Sequence, residues 1–196
     1  MRFSWAGHKE KLLQIINRGD YLFSPVKKLT KANGKTIHLW CSEDALVMKL
    51  LAEVLTVLLN LSNLCTHVKG HGGLKHSVVQ LQSELANYQY VCKTDVKSFY
   101  ESIDQYVLTE QIHDHIDNKL IKRYLWQVIR RTVEYCGLYH EITKGISRGC
   151  SLSPILGALY LKTLDEQFDK EGMFYLRYMD HIVILTKTRW QNRLRH

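Results

Sequence analysis

The feature that most limits the folds open to this chain lies near its end, where Phe174 to Tyr178 and Ile182 to Thr186 form two short apolar runs split by Met179, Asp180 and His181. Five residues rich in aromatic and β-branched side chains are too short for a helix. They read as the two strands of a tight antiparallel hairpin with a carboxylate at its tip. Tyr90 to Val96 reads as a further short buried strand that ends in a second carboxylate, Asp95. The stretches between are helical, and the element order is a mixed α+β chain without the βαβ alternation of a doubly wound sheet.

The remaining elements follow from periodicity and punctuation. Leu12, Leu13, Ile15 and Ile16 before Gly19 predict a short helix. Val26 to Ala32 and Lys35 to Trp40 flank Asn33-Gly34, a dipeptide suited to a type I′ hairpin, and the pair carries Lys27, Lys28, Lys31 and Lys35. Ser42 is a plausible N-cap for a long apolar helix reaching about Leu61, with Glu43 and Asp44 complementing its dipole. Leu74, Val78, Leu81 and Leu85 mark a helix after a glycine-rich loop, and two more helices are expected over 105–116 and 119–136, the second stopped by Gly137. Ser153 as N-cap and Pro154 at the first turn open a helix to about Asp169.

The chain has 196 residues, 45% hydrophobic and 23% charged, which suits one sizeable domain or two small ones and excludes disorder. Residues 1–19 lack the uninterrupted apolar run of a signal peptide, and Leu46 to Leu64 carries Lys49, Glu53, Asn60 and Asn63, too polar for a bilayer span. A cytoplasmic protein without membrane contact is expected. Five cysteines without a C-x-x-C pair disfavour a disulfide framework and a zinc ribbon. Cys65, His67 and His71 lie close enough in sequence to suggest zinc, but a polar glycine loop is the better reading. The net charge of +8 divides into +4 over residues 1–45, zero over 46–186 and +4 over 187–196. Two basic ends suit a polyanionic partner.

Familiar catalytic motifs are missing. Gly34-Lys35-Thr36 lacks the earlier glycine of a P-loop, since Leu29 stands there, and no H-E-x-x-H, G-x-S-x-G or G-x-G-x-x-G occurs. What remains is the pair Asp95 and Asp180. Carboxylates beside apolar strands are costly to desolvate unless a cation binds them, and two of them on neighbouring strands suit Mg²⁺. An Asp at a strand end, taken singly, is more often a turn or cap residue.

The words around these acids resemble a known family. Lys93-Thr94-Asp95-Val96-Lys97-Ser98-Phe99-Tyr100-Glu101-Ser102-Ile103-Asp104 resembles motif A of the reverse transcriptases, in particular the bacterial retron and group II intron type. Gly145-Ile146-Ser147-Arg148-Gly149-Cys150-Ser151-Leu152-Ser153-Pro154, continuing to Leu164-Asp165, is similar to motif B, and Tyr175 to Leu185 to motif C, the Y-x-D-D hairpin. The likeness extends upstream to about Phe23.

The resemblance implies a right-hand polymerase fold: an N-terminal helical extension over 1–22, fingers over 23–89 and palm over 90–196, with an antiparallel palm sheet flanked by helices. It implies templated transfer of nucleotides from deoxynucleoside triphosphates to the 3′-hydroxyl of a DNA or RNA primer on an RNA template, with Mg²⁺, or Mn²⁺, as cofactor. Asp95, the Val96 carbonyl and Asp180 match the metal ligands, with Asp95 and Asp180 catalytic. Tyr100 matches the steric gate against a ribose 2′-hydroxyl, with Phe99 beside it as the other candidate; a core aromatic is the plain alternative. Lys28, Lys31 and Lys35 match cations that meet the triphosphate, and Arg148 and Gly149 belong to the motif B loop under template and nucleotide.

Two departures stand out. His181 occupies the second acid position of motif C, where a neutral imidazole removes a charge and prefers softer metals than Mg²⁺. Arg148 stands where many members have Gln. His196 comes sixteen residues after Asp180, so the later palm and the thumb are expected to be missing, with residues 190–196 a poorly ordered helix start. The reading is therefore an RNA-directed DNA polymerase domain impaired by truncation and by His181. A non-catalytic RNA-binding remnant is its rival, and a palm-type nucleotidyl cyclase a weaker one. The oligomeric state stays open.

Overall fold

The computed structural model describes residues 5–30, 32, 34, 36–171 and 173–189. Helix α1 (Trp5–Arg18) buries Leu12 and Ile16, one turn apart, and ends at Gly19, whose φ of +83° suits the left-handed residue after a helix. Strands β1 (Val26–Thr30) and β2 (Thr36–Leu39) pair antiparallel from Lys27↔Leu39 to Thr30↔Thr36. Five residues therefore connect them, where the sequence suggested a two-residue turn; Lys31, Ala32 and Lys35 offer no β-branched or aromatic side chains to extend the ladder. Asn33, Lys31 and Lys35 lie outside the described residues.

Helix α2 (Ser42–Leu58) is capped one residue earlier than expected, by Cys41, whose sulfur accepts from the Asp44 N–H at 3.3 Å. The Asp44 carboxylate turns inward instead and accepts from the Tyr21 hydroxyl at 2.7 Å and the Ser24 N–H at 3.1 Å. Helix α3 (Gly73–Glu84) forms as predicted, yet its buried residue is Ser77 while Leu74 and Val78 stay exposed. Its apolar stripe is thus not a core face among the described residues.

Strand β3 (Tyr90–Asp95) is a sheet edge, and most of its side chains are exposed where a buried strand was expected. A short helix α4 (Phe99–Ser102) leads to α5 (Gln105–His115), capped by Asp104, and α6 (Lys119–Ile129), capped by Asn118. The helix expected to reach Cys136 stops at Ile129, because Thr132–Tyr135 forms β4 and pairs with β5 (Leu138–Glu141). Cys136 and Gly137, both at positive φ (+52° and +78°), make the type I′ turn between them. Tertiary pairing overrides the helical pattern here: Val133 lies parallel to Val26, both buried.

Helices α7 (Ser153–Tyr160) and α8 (Lys162–Lys170) replace one predicted helix. The break at Leu161 lets Leu159 join the main core while Phe168 turns to a second one. The N-cap of α7 is Leu152, not Ser153, whose hydroxyl instead donates to the Cys150 carbonyl at 2.9 Å. Strands β6 (Phe174–Tyr178) and β7 (His181–Thr186) close the described chain.

Two sheets result. One has the order β2-β1-β4-β5 and the other β3-β7-β6, the latter wholly antiparallel. The main core gathers α1, α2, α5, α6 and α7; the smaller one seats Phe168 of α8 on Tyr175, Ile182 and Ile184 of the second sheet. Among the described residues no helix is long and apolar enough to cross a membrane. The architecture is the mixed α+β type expected from the element order.

Candidate active site

The second sheet brings the two acids together. Register pairs Tyr178 with His181, so the loop between β6 and β7 is Met179-Asp180 alone and His181 is a strand residue, one place further into the strand than the sequence suggested. β3 runs antiparallel to β7 with Asp95 opposite His181. The imidazole Nδ1 of His181 lies 3.3 Å from the Asp95 carboxylate, and the Val96 N–H donates to the Asp180 carbonyl at 3.2 Å. Asp95, Asp180 and His181 each offer a ligand atom within 4.8 Å of the others, the one group of this kind among the described residues. Both Asp95 and His181 are open to solvent.

The hairpin that carries Asp180 is anchored from below. Arg177, in the middle of an otherwise apolar strand, is fully buried with Asp165 of α8, the two side chains 0% exposed. The contact is bidentate, Nε to Oδ1 at 2.7 Å and Nη2 to Oδ2 at 2.6 Å, and the Tyr175 hydroxyl donates to the same carboxylate at 2.8 Å. Burial on its own lowers the Arg177 pKa, but its hydrogen bonds to Asp165 and the surrounding negative charge outweigh it and hold the guanidinium charged. Burial, then Asp165, push the Tyr175 hydroxyl up. Such a pair contributes little net stability; it fixes orientation, because Arg177 Nη1 also donates to the Met179 carbonyl at 2.9 Å.

Motif A residues turn away from β3 at Ser98, which takes a left-handed φ of +51°. Phe99 and Tyr100 are both buried and pack over Gly157 of α7, whose missing side chain leaves them room. Burial, then the charge of Asp180, push the Tyr100 hydroxyl up to about 12, and Arg148 acts in the opposite direction. The motif B loop is tied to motif A by Gly145 N–H to the Ile103 carbonyl (2.8 Å) and Ile146 N–H to the Tyr100 carbonyl (2.8 Å). A side chain at Gly145 would meet the Glu101 carbonyl oxygen at 2.7 Å. Arg148 and Gly149 are exposed, and Gly149 at φ +84° has open space above it.

Lys28 does not join the acid cluster; its ammonium sits over the Tyr135 ring, 4.9 Å from the centroid, in the first sheet. Lys31 and Lys35 fall outside the described residues. The zinc reading of Cys65, His67 and His71 gains no support: the ring nitrogens of His67 bond to Met179 and Pro154, and His71 Nδ1 donates to the Cys65 carbonyl at 3.0 Å. Two supports of the motif B loop gave no sequence signal. Trp40 Nε1 donates to Ser147 Oγ at 3.0 Å, and the buried amide of Gln105 donates to the Gly145 carbonyl at 2.8 Å and the Ile129 carbonyl at 3.0 Å. Arg177 did leave one, a lone cation inside an apolar strand.

Residues 33–196 match the family described as reverse transcriptase (RNA-dependent DNA polymerase). The chain belongs to the reverse transcriptase family. It is 22% identical, over 171 residues, to the COX1/OXI3 intron 2 protein of Saccharomyces cerevisiae, with 82% of this chain and 20% of that protein covered. Among solved structures it is similar to a partial Cas6-RT-Cas1–Cas2 complex, with a TM-score of 0.56 and 16% identity over 94% of this chain and 33% of that one. It is also similar to the Sicinivirus 3Dpol RNA dependent RNA polymerase, with a TM-score of 0.58 and 17% identity over 90% of this chain and 43% of that one. These likenesses establish the polymerase fingers-and-palm fold for this reverse transcriptase chain, which spans about a fifth of the curated relative's length.

Proposed function

We propose that the chain is the fingers (23–89) and palm (90–196) portion, after an N-terminal extension (1–22), of an RNA-directed DNA polymerase that extends a DNA or RNA primer on an RNA template. The observation that carries this reading is the meeting of Asp95, Asp180 and His181 at adjoining strand ends in a reverse transcriptase chain. Likeness to an intron protein favours the retron and group II intron type, and the cytoplasm is the proposed place of action.

The donor set fits a divalent cation: two hard carboxylates and one borderline imidazole, solvent-accessible and close together. Asp95, Asp180 and the Val96 carbonyl would hold it, with His181 completing the set and favouring Mn²⁺ over Mg²⁺. When bound, such ions activate the primer hydroxyl and neutralise charge on the leaving pyrophosphate. The chain's own side chains do the rest. Tyr100, or Phe99 beside it, closes the space of a ribose 2′-hydroxyl. Lys28, Lys31, Lys35 and Arg148 attract the triphosphate, and Gly149 leaves the motif B loop open for the nucleotide.

Primer extension on an RNA template with Mg²⁺ and with Mn²⁺ tests the proposal. Extension that is stronger with Mn²⁺ and abolished in Asp95→Ala is expected; extension equal in the two chains overturns the assignment of Asp95. His181 in place of an acid favours one second reading, a non-catalytic RNA-binding remnant, for which RNA binding would persist with no Asp95-dependent extension under either ion.

A further inference from the structure

His67 lies on the loop between α2 and α3, remote in sequence from both acids, yet it joins the two halves of the scaffold around them. Its Nδ1 accepts from the Met179 N–H at 3.0 Å and its Nε2 meets the Pro154 carbonyl at 3.0 Å. A carbonyl accepts only, so Nε2 carries the proton and Nδ1 keeps its lone pair; one neutral tautomer satisfies both contacts. Burial lowers the pKa of His67 and favours that neutral form. The Cys65 thiol, held protonated by burial with a pKa pushed up to about 12, lies 3.2 Å from the same Nδ1.

The residue so held is a special one. Met179 takes φ +57°, a region that residues with side chains seldom adopt, and immediately precedes Asp180. Its carbonyl is taken by Arg177 and its N–H by His67. His67 itself is delivered by backbone pairing that does not involve its ring: Arg177 N–H donates to the Leu64 carbonyl and Thr66 N–H to the Arg177 carbonyl, both at 2.9 Å. The loop thereby lies along the free edge of β6 as a one-bridge strand at Cys65.

We propose that His67 is a positioning residue which, by clamping the Met179 N–H against the start of α7, holds the Asp180 turn in register with the motif B helix and sets the metal affinity of the acid cluster. The proposal rests on the metal-site reading above. Residues one layer behind metal ligands typically change affinity by about 10–100-fold when lost.

Three variants of the full chain separate the two contacts. In His67→Asn the amide oxygen stands where Nδ1 was and still accepts from Met179. In His67→Gln the amide nitrogen stands near the Nε2 position and reaches only Pro154, and His67→Ala keeps neither. Mn²⁺ titration by calorimetry, with hydrogen exchange of the Met179 amide, is expected to show about tenfold weaker binding and faster exchange in the Ala and Gln variants, with Asn close to the parent. Mn²⁺ affinity unchanged in His67→Ala overturns the proposal. So does a loss shared by all three variants that simply follows their melting temperatures. If the parent chain takes no Mn²⁺, the metal-site reading itself falls and the proposal with it.

Discussion

At the scale of single residues, His181 is where the proposed metal site departs from a pair of acids, and it is the position expected to set the preference between ions. It is a strand residue paired with Tyr178 and set opposite Asp95, so the backbone fixes where its ring begins. Asp95 and His181 are solvent-exposed, so a restored carboxylate would act through water-like screening, worth about 1 kcal/mol per unit charge at ~4 Å and twice that for a dication. His181→Asp is therefore expected to tighten Mg²⁺ binding by about thirtyfold and Mn²⁺ binding by less, as read by calorimetry; equal Mg²⁺ affinity in both chains would put His181 outside the site. The meeting of Asp95 and Asp180 at adjoining strand ends was legible through the motif words around them, since an acid at a strand end, taken singly, is more often a turn or cap residue. The link between Asp165 and Arg177 was not, since neither position shows its partner until α8 folds under β6. The neighbour of Lys28 was hidden for a related reason: a lysine on a strand shows its charge but not its partner, and only the structure brings Tyr135 beneath it.

Among elements, the tight junction is Gly145, where the motif B loop crosses α4 at φ +73° with the Glu101 backbone 2.7 Å from any added Cβ. Gly145→Ala combines left-handed strain with backbone overlap and is expected to destabilise by about 2–4 kcal/mol, measured by urea unfolding. The opposite outcome is expected at the β4–β5 turn. Cys136 is exposed at φ +52°, and Asn accepts that conformation better, so Cys136→Asn should stabilise by about 0.5–1 kcal/mol in the same assay. Helices with local signals were readable to within a residue or two: Gln105–His115 follows its Asp104 cap, and Gly73–Glu84 follows its glycine loop. β4 was not, because Leu120, Tyr124 and Val128 continue a helical rhythm toward it and only Val26, distant in sequence, draws Val133 into a strand. The division of the predicted 153–169 helix was invisible for the same reason, since two different cores pull on its halves.

For the molecule as a whole, the half-buried imidazole of His67 makes stability depend on acidity. Its folded pKa is lowered from the usual 6.5, so below that value the unfolded chain binds more protons than the folded one and stability falls as the pH drops. Urea midpoints are expected to decrease from pH 7 to pH 5, with a smaller decrease in His67→Asn. The two basic ends stand on either side of a balanced middle, an arrangement that composition revealed and that suits a phosphate backbone. What composition could not reveal is how the chain closes on itself. The parallel pairing of Val26 with Val133 inserts residues from beyond motif A into the sheet of the fingers. A chain cut at the proposed division at residue 90 would leave β4 with a bare, hydrogen-bond-hungry edge, so separately expressed halves are expected to be sticky and insoluble.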